Sequence, residues 1–303
     1  MTGLLRDGDR LVGAVVREGG ATREVEARLI IAADGARSVI REAMGIRAAV
    51  RQYREAYLTM VIGRPAGFGA AKISAEGRLY FGKRSYLGVI PVSPDTCYAF
   101  YYVHPSRYPE MRQRGLNALK AEIAAAVPDV AEGLVRLTAW DDLVYWPCVS
   151  VGCATWVTNG GALLGDAAHA ISPHVAQGTN QALVDAWTLA EVAGRALDRG
   201  DCSAAALAPY ETSRRPAVEF LQRLAEEYAL FFPPRGRLLG WLRDRALRCS
   251  NKNPRLQRKD IETVAGLSTE GYTLYDRLCV MGWPDPWAGR VPVPVAGPAR
   301  RSS

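Results

Sequence analysis

The stretch Gly165-Asp166-Ala167-Ala168-His169-Ala170-Ile171-Ser172-Pro173-His174-Val175-Ala176-Gln177-Gly178-Thr179-Asn180 decides how the rest of the sequence is read. Before it lies the apolar run Gly161-Ala162-Leu163-Leu164, short enough for a buried strand. After it Ala182, Leu183, Ala186, Leu189, Ala190, Ala193 and Leu197 keep helical spacing, and Gly200 closes a long helix ending near Arg199. A strand therefore stops at Gly165-Asp166 and a loop delivers the chain to a helix start. Small residues at 167, 168 and 176 let backbone lie against a flat ligand. The first N–H groups of that helix, at Gly178, Thr179 and Asn180, have no partner within it and make a region of positive potential. The plain alternative is an ordinary capped helix.

A second junction of the same kind lies upstream. Residues 25–33 alternate at first and then turn apolar on both faces at Leu29-Ile30-Ile31-Ala32-Ala33, as in a strand covered on both sides. This strand ends at Asp34-Gly35, and a short helix over residues 37–44 follows, stopped by Gly45. Ligands of open α/β sheets bind beyond the carboxyl ends of the strands. A short acid there can accept hydrogen bonds from ribose or ribityl hydroxyls, and its glycine neighbour admits close backbone approach. Asp34 could equally do no more than tie off its strand and cap the next helix.

The remaining chain fills in around these junctions. Residues 2–6, 11–17 and 25–33 form a meander, turned at Asp7-Gly8-Asp9 and Gly19-Gly20. Short strands over 57–62, 78–81, 86–92 and 97–103 suggest an antiparallel sheet, followed by a helix over 116–127 and a strand pair between 134 and 151. Alternation puts Tyr98, Phe100 and Tyr102 on one face and Tyr101 on the other. Helices are expected over 207–229 and 235–249, before a Pro-rich tail from Pro284.

The run G-D-A-A-H-x-x-x-P-x-x-x-Q-G-x-N resembles the second FAD motif of class A flavoprotein monooxygenases, the para-hydroxybenzoate hydroxylase type. Ala32-Ala33-Asp34-Gly35-Ala36-Arg37-Ser38-Val39-Ile40-Arg41, then Gly45, resembles their Asp-Gly motif. Trp156 and Tyr210…Arg214-Arg215-Pro216 also fit, and Asp34 and Asp166 lie 132 residues apart. The resemblance implies an α/β fold with an α+β insert. Residues 1–47 and 152–200 would form a partial, Rossmann-like FAD-binding domain and 48–151 an antiparallel substrate-binding sheet. Residues 201–303 would be helices and tail. It implies that Gly165 and Asp166 hold the ribityl chain of FAD. The backbone of Pro173, Gly178, Thr179 and Asn180 would face the isoalloxazine. Asp34 and Gly35 would support the pyrophosphate region and the approach of NAD(P)H, the reductant. Ala176 stands where many members carry glycine.

One departure is large. Members begin with a βαβ unit bearing G-x-G-x-x-G. Here the only G-x-G is Gly67-Phe68-Gly69, with Lys72 in place of the third glycine. The expectation is of an N-terminally truncated or split chain, completed by a separate unit. The expected activity is NAD(P)H- and O2-dependent hydroxylation of an aromatic or quinone-like molecule. A reductase of the same fold, or a non-catalytic remnant or partner subunit unable to hold FAD alone, is the alternative; a halogenase lacks a tryptophan-rich halide motif. No side chain stands out as catalytic, because such chemistry resides in the cofactor.

Composition narrows the classes. Hydrophobic residues at 49% and charged at 23% are those of a globular protein. No apolar run reaches membrane-spanning length, the charged Arg6, Asp7, Asp9 and Arg10 give the expectation of no signal peptide, and a cytoplasmic location is expected. The net charge of +7 comes without a nucleic-acid motif, so no nucleic-acid partner is expected. The basic stretch 235–248 reads as a docked surface helix and membrane contact is not expected. Six cysteines without framework spacing read as reduced, and His104, His169 and His174 are too scattered for zinc. His169 reads as a packing or hydrogen-bonding residue, His104 as a loop residue, and His174 as a candidate to face substrate.

Overall fold

In the computed structural model, residues 1–68, 77–82, 85–232 and 236–289 are described. The chain divides into two compact units. One comprises Met1–Val50, Ser150–Phe231 and the chain from Gly236 onward; the other comprises Arg51–Val149 with Phe232.

The first unit opens with an antiparallel meander of β1 (Gly3–Asp7), β2 (Arg10–Glu18) and β3 (Ala21–Glu26). The continuous strand expected over 25–33 is in fact two. The β2–β3 ladder ends where Ala27 N–H donates to Val12 O, and β4 (Ile30–Ala32) joins another sheet. The apolar stretch changes partners, so residues 27–29 are a connection. Helix α1 (Val39–Ala43) follows, its first turn capped by Ser38, whose Oγ accepts from Arg41 N–H.

Strand β5 (Ala48–Gly63) carries the chain into the second unit. There β6 (Arg78–Phe81), β7 (Tyr86–Pro91), β8 (Thr96–Val103) and the later β9 (Leu143–Cys153) join it in a five-stranded sheet ordered β6-β7-β8-β5-β9. Helices α2 (Tyr108–Arg114) and α3 (Leu116–Ala126) precede β9 (Leu143–Cys153). The strand pair expected between 134 and 151 is a single strand. Asp142 accepts from the N–H groups of Thr138 and Ala139, and residues 133–136 and 140–142 curl into short 3-10 turns instead. Strand alternation builds the core: Leu58, Met60 and Ile62 of β5, Cys97, Ala99, Tyr101 and Val103 of β8, and Leu87 and Val89 of β7 pack against Leu119 and Ile123 of α3. Tyr101 donates to Glu122 at 3.0 Å from that core face.

The opposite face of this sheet carries the aromatic residues. Tyr57 meets Tyr86, Phe100 and Tyr102 edge-on, with centroids 5.7, 5.9 and 6.4 Å away. The Tyr57 and Tyr86 hydroxyls are hydrogen-bonded. Gly88 is required beneath the Phe100 ring, since a Cβ there would come within 2.0 Å of it. Burial, with Glu55 and Cys148 nearby, pushes the Tyr86 phenol far above its ordinary pKa.

The chain then returns to the first unit through β10 (Val157–Thr158) and β11 (Gly161–Leu163). Strand β11 lies between β10 and β4, antiparallel to the first and parallel to the second. Helices α4 (Asp166–His169), α5 (Gly178–Asp198), α6 (Ala204–Phe231), α7 (Arg237–Asn251), α8 (Pro254–Val264) and α9 (Leu274–Val280) complete it. Among the described residues no helix is long and apolar enough to cross a membrane. The six cysteines are free thiols.

Candidate functional site

The parallel pair β4–β11 brings the two sequence motifs together. The register Ile30 to Gly161, Ile31 to Ala162 and Ala32 to Leu163 aligns their carboxyl ends, and Leu164 N–H donates to Ala32 O at 2.9 Å. Asp34-Gly35 and Gly165-Asp166 therefore leave the sheet side by side. Arg41 fastens the two turns: its guanidinium donates to Ala167 O at 2.8 Å and Ala36 O at 3.1 Å, and its side chain is buried. The sequence reading quoted Arg41 without a role. An arginine following Val39-Ile40 in the helix expected over 37–44 is the signal the sequence offers.

The two acids differ in what they do. The Asp34 carboxylate accepts from the Ser38 hydroxyl and, at 3.1 Å, from Ile40 N–H, so it caps α1. Gly35 takes a φ of +87° with open space where a side chain would stand. The Asp166 carboxylate accepts no hydrogen bond among the described residues. Its side chain reaches solvent, yet the surrounding protein raises its pKa, against the lowering effect of His169. Gly165 adopts φ +58° and ψ −136°, and a Cβ there would stand 2.9 Å from that of Ala182 on α5. Only glycine fits this turn.

Beyond α4 a 3-10 turn over Pro173–Val175 leads through Ala176, in the left-handed region at φ +52°, to Gln177 and α5. Pro173, Thr179 and Asn180 are exposed and Gly178 is half-buried. No side chain caps α5, so its first N–H groups face outward from a helix of 21 residues.

Beneath this surface lies a polar network that the sequence does not reveal, although Arg214 belongs to one of its motifs. Asp185 is wholly buried and accepts from Gly165 N–H at 3.3 Å, His169 Nε2 at 2.5 Å and Arg214 Nε at 2.9 Å. Arg214 also donates to Gln181 Oε1 at 2.5 Å, Gln181 to Gln177, and Gln177 to Val264 O. The His169 ring lies 4.6 Å from that of Trp156, which Tyr210 and Arg215 also contact. His169 is thus a buried hydrogen-bonding residue, while His104 caps a 3-10 turn and the half-buried His174 bonds the Ser172 hydroxyl.

Two acid-glycine turns thus leave adjacent parallel strand ends next to an uncapped helix, the region where open α/β sheets take ligands. Residues 1–225 match the FAD binding domain family, and the chain belongs to it. The resemblance to class A FAD-dependent monooxygenases drawn from the sequence is borne out by its relatives. It is 26% identical to 6-methylpretetramide 4-monooxygenase of Streptomyces rimosus, over 84% of this chain and 60% of that protein. It is also 26% identical to 3-demethoxyubiquinol 3-hydroxylase of Escherichia coli (strain K12), over 80% of this chain and 60% of that one. In structure it resembles pqsL, a probable FAD-dependent monooxygenase from Pseudomonas aeruginosa, with TM-score 0.63 and 22% identity over 78% of this chain and 64% of that chain. The chain spans between 45% and 60% of the length of the first three curated relatives it matches.

Proposed function

We propose that the chain is part of an NAD(P)H- and O2-dependent hydroxylase of aromatic or quinone-like molecules. The observation that carries this reading is the joining of the Asp34-Gly35 and Gly165-Asp166 turns by Arg41 beside an uncapped α5. The residues fit FAD. A carboxylate without an internal partner, a glycine turn tight against α5 and outward N–H groups match a ribityl chain and an isoalloxazine that becomes anionic on reduction. When bound, FAD would accept hydride from NAD(P)H and supply the oxygen-activating chemistry.

The chain's own residues would bind and orient. Asp166 would accept from ribityl hydroxyls, with Gly165 admitting the chain closely. The N–H groups of Gly178, Thr179 and Asn180 would stabilise negative charge on the reduced ring, with Pro173 backbone beside it. Asp34, through the helix it caps, and Gly35 would support the pyrophosphate region and the approach of the nicotinamide. The aromatic face of Tyr57, Tyr86, Phe100 and Tyr102 supports a flat, largely apolar substrate oriented by a few hydroxyls. In this reading a glycine-rich βαβ unit outside residues 1–303, on the same or a separate chain, holds the pyrophosphate. Its support is Ile31, 45% exposed on the edge strand β4.

These 303 residues alone should then bind FAD weakly, and flavin absorbance after desalting measures it. In the flavin-loaded assembly Asp166→Ala should weaken FAD binding roughly tenfold or more, the loss of a hydrogen bond to a charged acceptor. Titrations matching wild type would remove Asp166 from the site. Label from ¹⁸O2 should appear in the product across a phenol and quinone panel. NAD(P)H-dependent saturation of a double bond without oxygen uptake would favour a reductase.

A further inference from the structure

Helix α7 is docked by one side only. Arg243 and Ala246 are buried, and Arg243 donates to the Asp244 carboxylate at 2.8 and 2.9 Å. The other side presents Arg237, Leu238, Trp241, Arg245 and Arg248, followed by Lys252 at the helix end; at 100° per residue these six lie within one broad stripe. Leu238 is 69% exposed and Trp241 57%. Arg237, Arg248 and Lys252 make no salt bridge among the described residues, whereas Asp244, the acid on this stripe, is already paired with Arg243.

A second element extends the same surface. Arg245 lies 5.9 Å from the Trp241 ring centroid and donates from Nε to Met281 O at 2.8 Å. The turn it holds carries Trp283, 61% exposed, beside the exposed Leu278 of α9. Two indoles and two leucines therefore stand in solvent around one arginine, inside a border of unpaired cations. Large apolar groups ringed by positive charge suit the boundary between acyl chains and anionic headgroups, where indoles sit at headgroup depth and arginines meet phosphate.

Against the expectation drawn from the sequence of this stretch, we propose that the α7–α9 surface adsorbs the protein to anionic lipid bilayers, with Leu238, Trp241, Leu278 and Trp283 entering the headgroup region and Arg237, Arg248 and Lys252 meeting phosphates. This adsorption does not depend on flavin chemistry, so its test stands apart from that of the proposed activity. It would deliver the protein to the phase in which apolar aromatic molecules concentrate.

The test is sedimentation of the purified full chain with vesicles of phosphatidylcholine, with and without phosphatidylglycerol. Binding should require phosphatidylglycerol and fall as salt rises. Arg237→Gln with Arg248→Gln should lower the apparent affinity about tenfold or more. Trp241→Ser with Trp283→Ser should reduce binding at every salt concentration and abolish quenching of tryptophan fluorescence by brominated lipid. Circular dichroism melts matching wild type establish that each variant is folded; should a double variant fail to fold, the single Leu238→Ser and Arg248→Gln variants carry the same comparison. No sedimentation with either vesicle overturns the proposal. So does vesicle binding that the folded tryptophan variants leave intact, or retention on DNA or a protein partner in place of vesicles.

Discussion

Ala176 alone among the described non-glycine residues has a positive φ, +52°, and it occupies the turn that aims α5 outward. An L-residue in that conformation costs roughly 1–2 kcal/mol, partly offset because glycine loses more chain entropy on folding. Ala176→Gly should stabilise the protein by about 0.5–1 kcal/mol, a difference readable in urea midpoints at unchanged slope. An unchanged or lower midpoint would mean the turn is not strained in solution. The sequence signalled this position only through comparison with a family pattern, since nothing in Val175-Ala176-Gln177 announces a left-handed residue. Asp34 and Asp166 looked alike in sequence, each an acid beside a glycine after an apolar strand. Their difference rests on Ser38, four residues beyond Asp34, which completes a local cap; the turn at Asp166 has no counterpart.

At the scale of elements, long periodic helices and the junctions at Asp34 and Gly165 were legible, because apolar spacing and glycine placement are local. What sequence could not supply was partnership. Residues 25–33 looked like one strand because an alternating stretch runs straight into an apolar one, and only the separate partners β2 and β11 divide them. The network around Asp185 was hidden for the same reason: its members lie on α4, α5 and α6, far apart in the chain. The C-terminal helices hold a second such cluster. Asp276 is buried and accepts from Arg255 at 2.6 Å and Lys259 at 2.7 Å, joining α8 to α9. Burial alone would raise its pKa; the bonds from Lys259, the Thr273 N–H and Arg255 outweigh it and hold the carboxyl well below its ordinary value. A folded-state pKa that is lowered means the unfolded chain takes up protons first as pH falls. The stabilisation is therefore full above the ordinary carboxylate range and lost as pH drops through and below it. Asp276→Asn should destabilise the protein at neutral pH by about 1–3 kcal/mol, since Lys259 loses its carboxylate while Arg255 keeps Asp285. It should also flatten the acid limb of the stability curve, measured by denaturant melts between neutral and acidic pH. A variant with the wild-type acid limb would assign that limb to other carboxyls.

For the whole molecule, the division into two units follows from where contacts are local. Strands β6, β7 and β8 pair with sequence neighbours in antiparallel ladders, and α3 covers their core within the same stretch of chain. The first unit is assembled otherwise: β4 finds its parallel partner β11 only about 130 residues later. That separation sets an order in time. A ribosome adding roughly 5–20 residues per second delivers the complete sheet of the second unit while β4 still waits for its neighbour, for about 7–26 seconds. During that interval the apolar Ile30-Ile31-Ala32 segment has no ladder to join, a state open to chaperones and to misassociation. Pulse-labelled hydrogen exchange during refolding should show Leu58, Leu87 and Ala99 amides protected before those of Ile31 and Ala162. The insertion that separates the two halves of the first unit thus also makes that unit the last to finish.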